Sequence, residues 1–110
     1  MTRLTTSLPA VLWAGLIFAL SSVPDLGTDL GLWDTVLRKL AHVVEYAVLG
    51  ALVYRAAGSA AVAIVLSSGY AATDEIHQAF VSGRHGSPLD WLMDTAGVVL
   101  GVAATARLSR

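Results

Sequence analysis

The chain has no cysteine and few charged residues, and both features exclude whole classes of protein. Without cysteine, no disulfide framework, thiolate nucleophile or cysteine-bound metal site can form. Seven basic and eight acidic residues give a net charge of −1, which excludes the strongly basic surface typical of nucleic-acid binding. Only 14 % of the residues are charged, whereas about a quarter are charged in an ordinary soluble domain. The composition therefore favours a membrane protein and excludes nucleic acid as a partner.

Long runs with little formal charge divide the chain into apolar segments. They predict helices over residues 4–22, 36–54, 56–80 and 88–106. A helix needs about 17–25 residues to cross the hydrocarbon core of a bilayer. We therefore predict one all-α domain over residues 1–110, a small integral membrane bundle of four transmembrane helices. A soluble four-helix bundle is disfavoured because no segment shows a continuous polar face.

Turn-forming residues separate the predicted helices. Pro24 follows the first, and Gly58 with Ser59 separates the second from the third. Ser87 and Pro88 predict the start of the fourth helix, with serine as the N-cap and proline at the first helical position. The first segment also resembles a secretory signal peptide, so its cleavage stays an open alternative.

The positions of the basic residues predict how the chain is oriented. With the N-terminus inside the cell, four basic residues lie on the cytoplasmic side, namely Arg3, Arg55, Arg107 and Arg110. Three lie on the outer side, namely Arg38, Lys39 and Arg84. Cytoplasmic loops carry an excess of such residues. We therefore predict a multi-pass protein of the cell membrane with both termini in the cytoplasm.

Polar residues recur at helical spacing in three of the predicted helices. Lys39, His42 and Tyr46 follow i, i+3, i+7 spacing and share one stripe of the second helix. The other two helices carry comparable stripes: Asp74, His77 and Gln78 with Glu75 beside them, and Asp90, Asp94, Gly97 and Gly101. In an up-and-down bundle these three helix ends meet at the outer membrane surface, where the loop that carries Arg84 joins two of them. We therefore predict that four sequence regions converge there. The two glycines predict a close contact between helices.

These residues together form a pattern that resembles the VanZ-like family. The matching pieces are Lys39-x-x-His42-x-x-x-Tyr46-x-x-Leu49, Asp74-Glu75-x-x-Gln78-x-Phe80-x-x-Gly83-Arg84 and Asp90-x-x-x-Asp94-x-x-Gly97. Asp94 stands where the family pattern leads us to expect Asn, and Ser82 precedes Gly83 where Pro is common. The resemblance implies a small polytopic protein of the cell envelope. The name-giving member is associated with teicoplanin resistance, but the resemblance implies no particular reaction.

The first functional hypothesis is binding of an anionic or glycosylated envelope lipid, or of a lipid-linked envelope precursor. Arg84 offers paired donors suited to phosphate, and Lys39 offers a second positive charge. Gln78 and Tyr46 can hydrogen-bond a sugar or glycerol hydroxyl. The predicted substrate-binding residues are Lys39, Tyr46, Gln78, Arg84, Asp90 and Asp94.

A catalytic site at the same place is the second hypothesis. His42 or His77 would act as general base, with Asp74 or Glu75 orienting the imidazole. The predicted catalytic residues are Asp74, Glu75 and His42. We predict no cofactor and assign no metal ligands. A divalent metal ion stays an alternative, because the site offers oxygen and imidazole ligands.

The alternative of a different class is a non-catalytic accessory protein that docks onto a larger envelope enzyme. The charged residues would then be structural, with Arg84–Asp90 and Lys39–Glu75 ion pairs joining the helices. Small residues such as Gly15, Ala19, Gly97 and Gly101 would supply packing surfaces within the chain or between chains. Oligomerisation is therefore left open.

Overall fold

The computed structural model describes residues 3–21, 32–80 and 88–108, and these ranges fold into four α-helices. The helices are α1 (Arg3–Ser21), α2 (Leu32–Ala57), α3 (Ala60–Ala79) and α4 (Pro88–Leu108). The all-α prediction and the predicted number of helices are therefore confirmed for the described part of the chain.

The turn between α2 and α3 lies at Gly58 and Ser59, as predicted. Gly58 adopts a φ of +73°, a backbone conformation that suits glycine at the end of a helix. Ser59 then caps α3, because its hydroxyl oxygen accepts a hydrogen bond from the Val62 amide at 3.3 Å. The predicted helix bounds of 36–54 and 56–80 are wrong by a few residues here, since α2 starts earlier and runs to Ala57. The helix start at Pro88 is confirmed, and Ser87 lies outside the described residues.

The backbones of α2 and α4 approach each other at three glycines. A Cβ atom added to Gly101 would lie 1.9 Å from the Ala47 carbonyl oxygen, and one added to Gly97 would lie 2.5 Å from that of Val43. A Cβ atom added to Gly50 would likewise lie 2.7 Å from the Val98 carbonyl oxygen. The close contact predicted for Gly97 and Gly101 is therefore confirmed. Gly15, also expected to pack, has open space around it.

Side-chain hydrogen bonds to main-chain carbonyls join the other helices to this pair. Trp13 donates from Nε1 to the Glu45 carbonyl at 2.8 Å, which fastens α1 to α2. The Tyr70 hydroxyl donates to the Ala14 carbonyl and links α3 to α1. Trp91 donates to the Ser68 carbonyl at 2.9 Å and links α4 to α3.

In these helices several polar side chains are buried and many large apolar side chains are exposed, which is the reverse of the usual distribution in a soluble protein. Five polar or charged residues are buried, namely Ser67, Asp74, Glu75, Gln78 and Asp94. Large apolar residues are exposed on all four helices, for example Leu12, Val44, Leu66 and Leu100. Among the described residues, α4 is the one helix long and apolar enough to cross a membrane, and Ser7–Leu20 forms a shorter apolar segment.

Replacing Gly101 with alanine should destabilise the fold. The added methyl group would meet backbone atoms of Ala47, which cannot move without separating α2 from α4. Overpacking of this kind costs about 1–3 kcal/mol. We expect a lower thermal midpoint for Gly101→Ala in detergent solution.

Gly69→Ala is the matched control, because a Cβ at this helical glycine would meet no atom within 4 Å. Alanine has the higher helix propensity by up to about 1 kcal/mol, so the control should be neutral or stabilising. Equal thermal midpoints for the two variants would contradict the close α2–α4 contact.

Candidate functional site

Eight polar residues of α2, α3 and α4 come together at one end of the bundle. This polar cluster consists of Lys39, His42, Tyr46, Asp74, Glu75, Gln78, Asp90 and Asp94. The members from α2, namely Lys39, His42 and Tyr46, lie at successive depths from the end of the bundle towards its core. Tyr46 lies seven positions after Lys39, which corresponds to about 10 Å along the helix axis. Three of the four regions predicted to converge therefore meet in the structure, and the fourth, the loop that carries Arg84, lies outside the described residues.

The outermost contact of the polar cluster is an ion pair between α2 and α4. Lys39 Nζ lies 3.5 Å from Asp90 Oδ1, and the two side chains are 41 % and 30 % exposed. This partner differs from the Glu75 expected for Lys39 in the structural ion-pair hypothesis. Asp90 lies in the first turn of α4, and this turn is at the same height in the bundle as the turn of α2 that carries Lys39. An exposed pair of this kind contributes little to stability.

The middle contact holds the imidazole of His42 from two sides. Asp94 Oδ1 lies 3.3 Å from Nδ1 of His42, and the amide nitrogen of Gln78 lies 3.3 Å from Nε2. With Nδ1 protonated, His42 donates to Asp94 and accepts from Gln78, so one tautomer satisfies both contacts. The His42 side chain is 20 % exposed and that of Asp94 is 1 % exposed. An imidazole fixed by a carboxylate in this way has the orientation that a general base or a metal ligand requires.

The innermost contact joins α2 to α3. The Tyr46 hydroxyl donates to Asp74 Oδ2 at 2.8 Å, and both residues are buried. Tyr46 belongs to the main hydrophobic core, together with Ile17, Leu49 and Val98. The polar cluster therefore continues directly into the apolar core.

The carboxylates of Asp74 and Asp94 each keep one oxygen atom without a hydrogen-bond partner among the described residues. These atoms are Asp74 Oδ1 and Asp94 Oδ2, and both residues are at least 98 % buried. A buried polar atom without a partner costs free energy, more so when it carries charge. The arrangement therefore favours a further ligand for these oxygens, such as a cation, a water molecule or a hydroxyl group.

Some predicted site residues lie elsewhere or cannot be placed. The His77 ring stacks on Phe18 of α1, with ring centroids 4.5 Å apart, so this histidine contacts α1. Arg84 lies outside the described residues. Asp94 was predicted to bind substrate, yet it is the carboxylate that contacts His42, in place of the predicted Asp74 or Glu75.

A second set of polar contacts, not predicted from the sequence, lies beside the polar cluster. The Ser68 hydroxyl donates to the Thr95 hydroxyl at 3.1 Å, between α3 and α4. Ser67 is buried one residue away. Helical spacing from Asp74 back to Ser67 and Tyr70 could have shown that the same side of α3 stays polar along two more turns.

The model of the family described as VanZ/LLP1 matches residues 5–109. The chain belongs to the VanZ/LLP1 family. The match includes every residue of the polar cluster, so the resemblance inferred from the sequence is confirmed. Membership in the VanZ/LLP1 family indicates a protein associated with the cell envelope. No curated protein and no solved structure matches the chain.

Removing the Tyr46 hydroxyl should destabilise this VanZ/LLP1 protein. Tyr46→Phe would leave Asp74 buried without the hydrogen bond to Oδ2, at a cost of about 1–3 kcal/mol. We expect a lower thermal midpoint than that of the wild type.

Tyr54→Phe is the control, because Tyr54 lies in the same helix and is half-buried. Its hydroxyl has no hydrogen bond to the described ranges, so its removal should leave the thermal midpoint unchanged. If Tyr46→Phe also left it unchanged, the Tyr46–Asp74 bond would have no structural role.

Proposed function

We propose that the protein spans the membrane with four helices and that its polar cluster binds the headgroup of an anionic or glycosylated envelope lipid. Both termini would lie in the cytoplasm and the polar cluster would face the outer side. The observation that carries the proposal is the fall in exposure along α2, from Lys39 to His42 to the buried Tyr46. A fall in side-chain exposure of this kind is expected for a site that a ligand enters from one end of an otherwise apolar bundle.

Helix lengths support four spans. The helices contain 19, 26, 20 and 21 residues, which at 1.5 Å per residue gives about 28–39 Å. The hydrocarbon core of a bilayer is about 30 Å thick. Asp74 and Glu75 lower the mean hydropathy of α3, but both are buried and would not face lipid. Charged residues in spanning helices commonly face the interior of a bundle in this way.

The chemistry of the polar cluster supports a headgroup that carries both negative charge and hydroxyl groups. Lys39 lies at the entrance and could exchange its partner Asp90 for a phosphate or carboxylate of the lipid. Asp94 and Asp74 offer free acceptor oxygens to hydroxyl groups. Arg84 keeps its proposed role as the second phosphate-binding cation. A sugar or glycerol phosphate headgroup matches this combination.

Processing of the lipid is a further part of the proposal. His42 would act as the general base through Nε2, where a lipid hydroxyl would take the place of the Gln78 amide. Asp94, whose Oδ1 lies 3.3 Å from Nδ1, would orient the ring. Asp74 and Glu75, the other two proposed catalytic residues, would position the lipid hydroxyls. A link to glycopeptide resistance rests on family membership alone.

The alternative is an accessory protein without a ligand of its own, in which the polar cluster only joins helices. The Lys39–Asp90 pair favours this alternative, because each charge already has a partner. The two proposals differ in what a charge-removing variant should lose. The accessory protein would lose helix packing or docking, whereas the lipid-binding protein would lose lipid.

Lipids retained by the purified full-length chain test the proposal. The protein is extracted with a mild detergent, and its lipids are quantified by mass spectrometry. A lost hydrogen bond to a charged group is worth about 1.5–3 kcal/mol. Lys39→Gln should therefore retain at least about tenfold less anionic or glycosylated lipid than the wild type.

Arg55→Gln is the matched control, because Arg55 is an exposed cation at the opposite end of α2. This variant should retain lipid at the wild-type level. Equal lipid retention by both variants would contradict headgroup binding at the polar cluster. Reduced thermal stability of Lys39→Gln with unchanged lipid would favour the accessory protein instead.

A further inference from the structure

We propose that His42, Glu75 and Asp94 bind a divalent transition-metal ion. Each of these residues offers one ligand atom, and the three atoms lie within 4.8 Å of one another. They come from three different helices, so the site forms only when α2, α3 and α4 pack together. The proposal does not depend on lipid binding.

The distances between the ligand atoms are close to those of a tetrahedral metal site, so the ligands would move only slightly closer together on binding the ion. Zinc ligands lie about 2.0–2.2 Å from the ion, so ligand atoms in tetrahedral geometry are roughly 3.4 Å apart. His42 Nδ1 and Asp94 Oδ1 are already 3.3 Å apart. The distances from the Glu75 ligand atom to the other two are at most 4.8 Å, so each would have to shorten by no more than about 1.4 Å to reach the same spacing. Coordination at Nδ1 would replace the His42–Asp94 hydrogen bond, and the imidazole proton would move to Nε2. The Gln78 amide, turned over, would then accept a hydrogen bond from Nε2 through its oxygen.

A second observation, independent of this spacing, also indicates a ligand. Asp94 is 1 % exposed, and its Oδ2 has no hydrogen-bond partner within the described ranges. A buried carboxylate that is only half satisfied is costly, and a divalent cation would compensate both its charge and its free oxygen. A cation would also reduce the repulsion among the buried carboxylates of Asp74, Glu75 and Asp94.

The kinds of ligand narrow the choice of metal. Imidazole suits Zn²⁺, Cu²⁺, Fe²⁺ and Ni²⁺, whereas Mg²⁺ and Ca²⁺ prefer sites made only of oxygen ligands. One imidazole and two carboxylates therefore favour a transition metal such as Zn²⁺. Three protein ligands also leave a position open for water or for an oxygen of a bound molecule.

Cobalt(II) is the probe for this site, because its visible absorption reports imidazole and carboxylate coordination. The full-length chain is purified with a tag that contains no histidine, stripped with a chelator and titrated with Co²⁺. Bound metal is also counted by mass spectrometry after dialysis. We expect about one ion per chain, displaced by Zn²⁺.

Ligand variants and matched controls show where the ion binds. His42→Gln and Asp94→Asn should each weaken Co²⁺ binding at least about tenfold, since even outer residues of metal sites contribute about 10–100-fold. His77→Gln and Glu45→Gln replace a histidine and a carboxylate outside the three ligands and should bind Co²⁺ normally. Circular dichroism confirms that each variant is folded.

Two results would overturn the proposal. One is the absence of stoichiometric Co²⁺ binding by the wild type, which needs no variant to interpret. The other is binding that survives in Asp94→Asn or is lost equally in the control variants. Either result can occur whether or not the protein retains lipid, so the metal site and the lipid site are tested separately.

Discussion

The close approach of α2 and α4 is the constraint on which the site depends. Gly97 and Gly101 let the two backbones touch at Val43 and Ala47, where any side chain would collide with a carbonyl oxygen. One turn before Gly97, Asp94 is thereby brought level with His42, although 52 residues separate them in the sequence. The polar cluster and the glycine contact thus belong to one helix–helix interface. A larger helix separation would leave the carboxylate of Asp94 out of reach of His42.

The polar cluster lies inside a bundle with an apolar exterior, which reverses the usual order of a soluble protein. Buried carboxylates such as Asp74 and Asp94 are expensive unless they are paired or bind a ligand. The hydrogen bonds from Tyr46 and His42 compensate only one oxygen of each. The remaining oxygens are the physical reason to expect a ligand. Hydroxyl groups of a lipid and a metal ion would satisfy these oxygens in different ways.

Helical spacing was enough to predict which residues converge, but not how they pair. The i, i+3, i+7 stripe of Lys39, His42 and Tyr46 faces inward as expected, because one face of α2 must pack against its neighbours. Pairing depends on the rotation and relative height of the helices, which spacing does not specify. Asp94 therefore replaced Asp74 as the partner of His42, and His77 turned towards Phe18. The end of α2 was misplaced because alanines at 56 and 57 suit either side of the turn.

The central claim is that the apolar exterior faces lipid while the polar cluster lies inside, and cysteine accessibility tests it most directly. The cysteine-free chain allows single substitutions at Leu89, Val44 and Ala57, which are all exposed. In intact cells, a membrane-impermeant maleimide should label Leu89→Cys, whereas Ala57→Cys should react only after permeabilisation. Val44→Cys, at the middle of α2, should resist labelling in both cases. Efficient labelling of Val44→Cys before or after permeabilisation would contradict the account, because that face of α2 would then be in water.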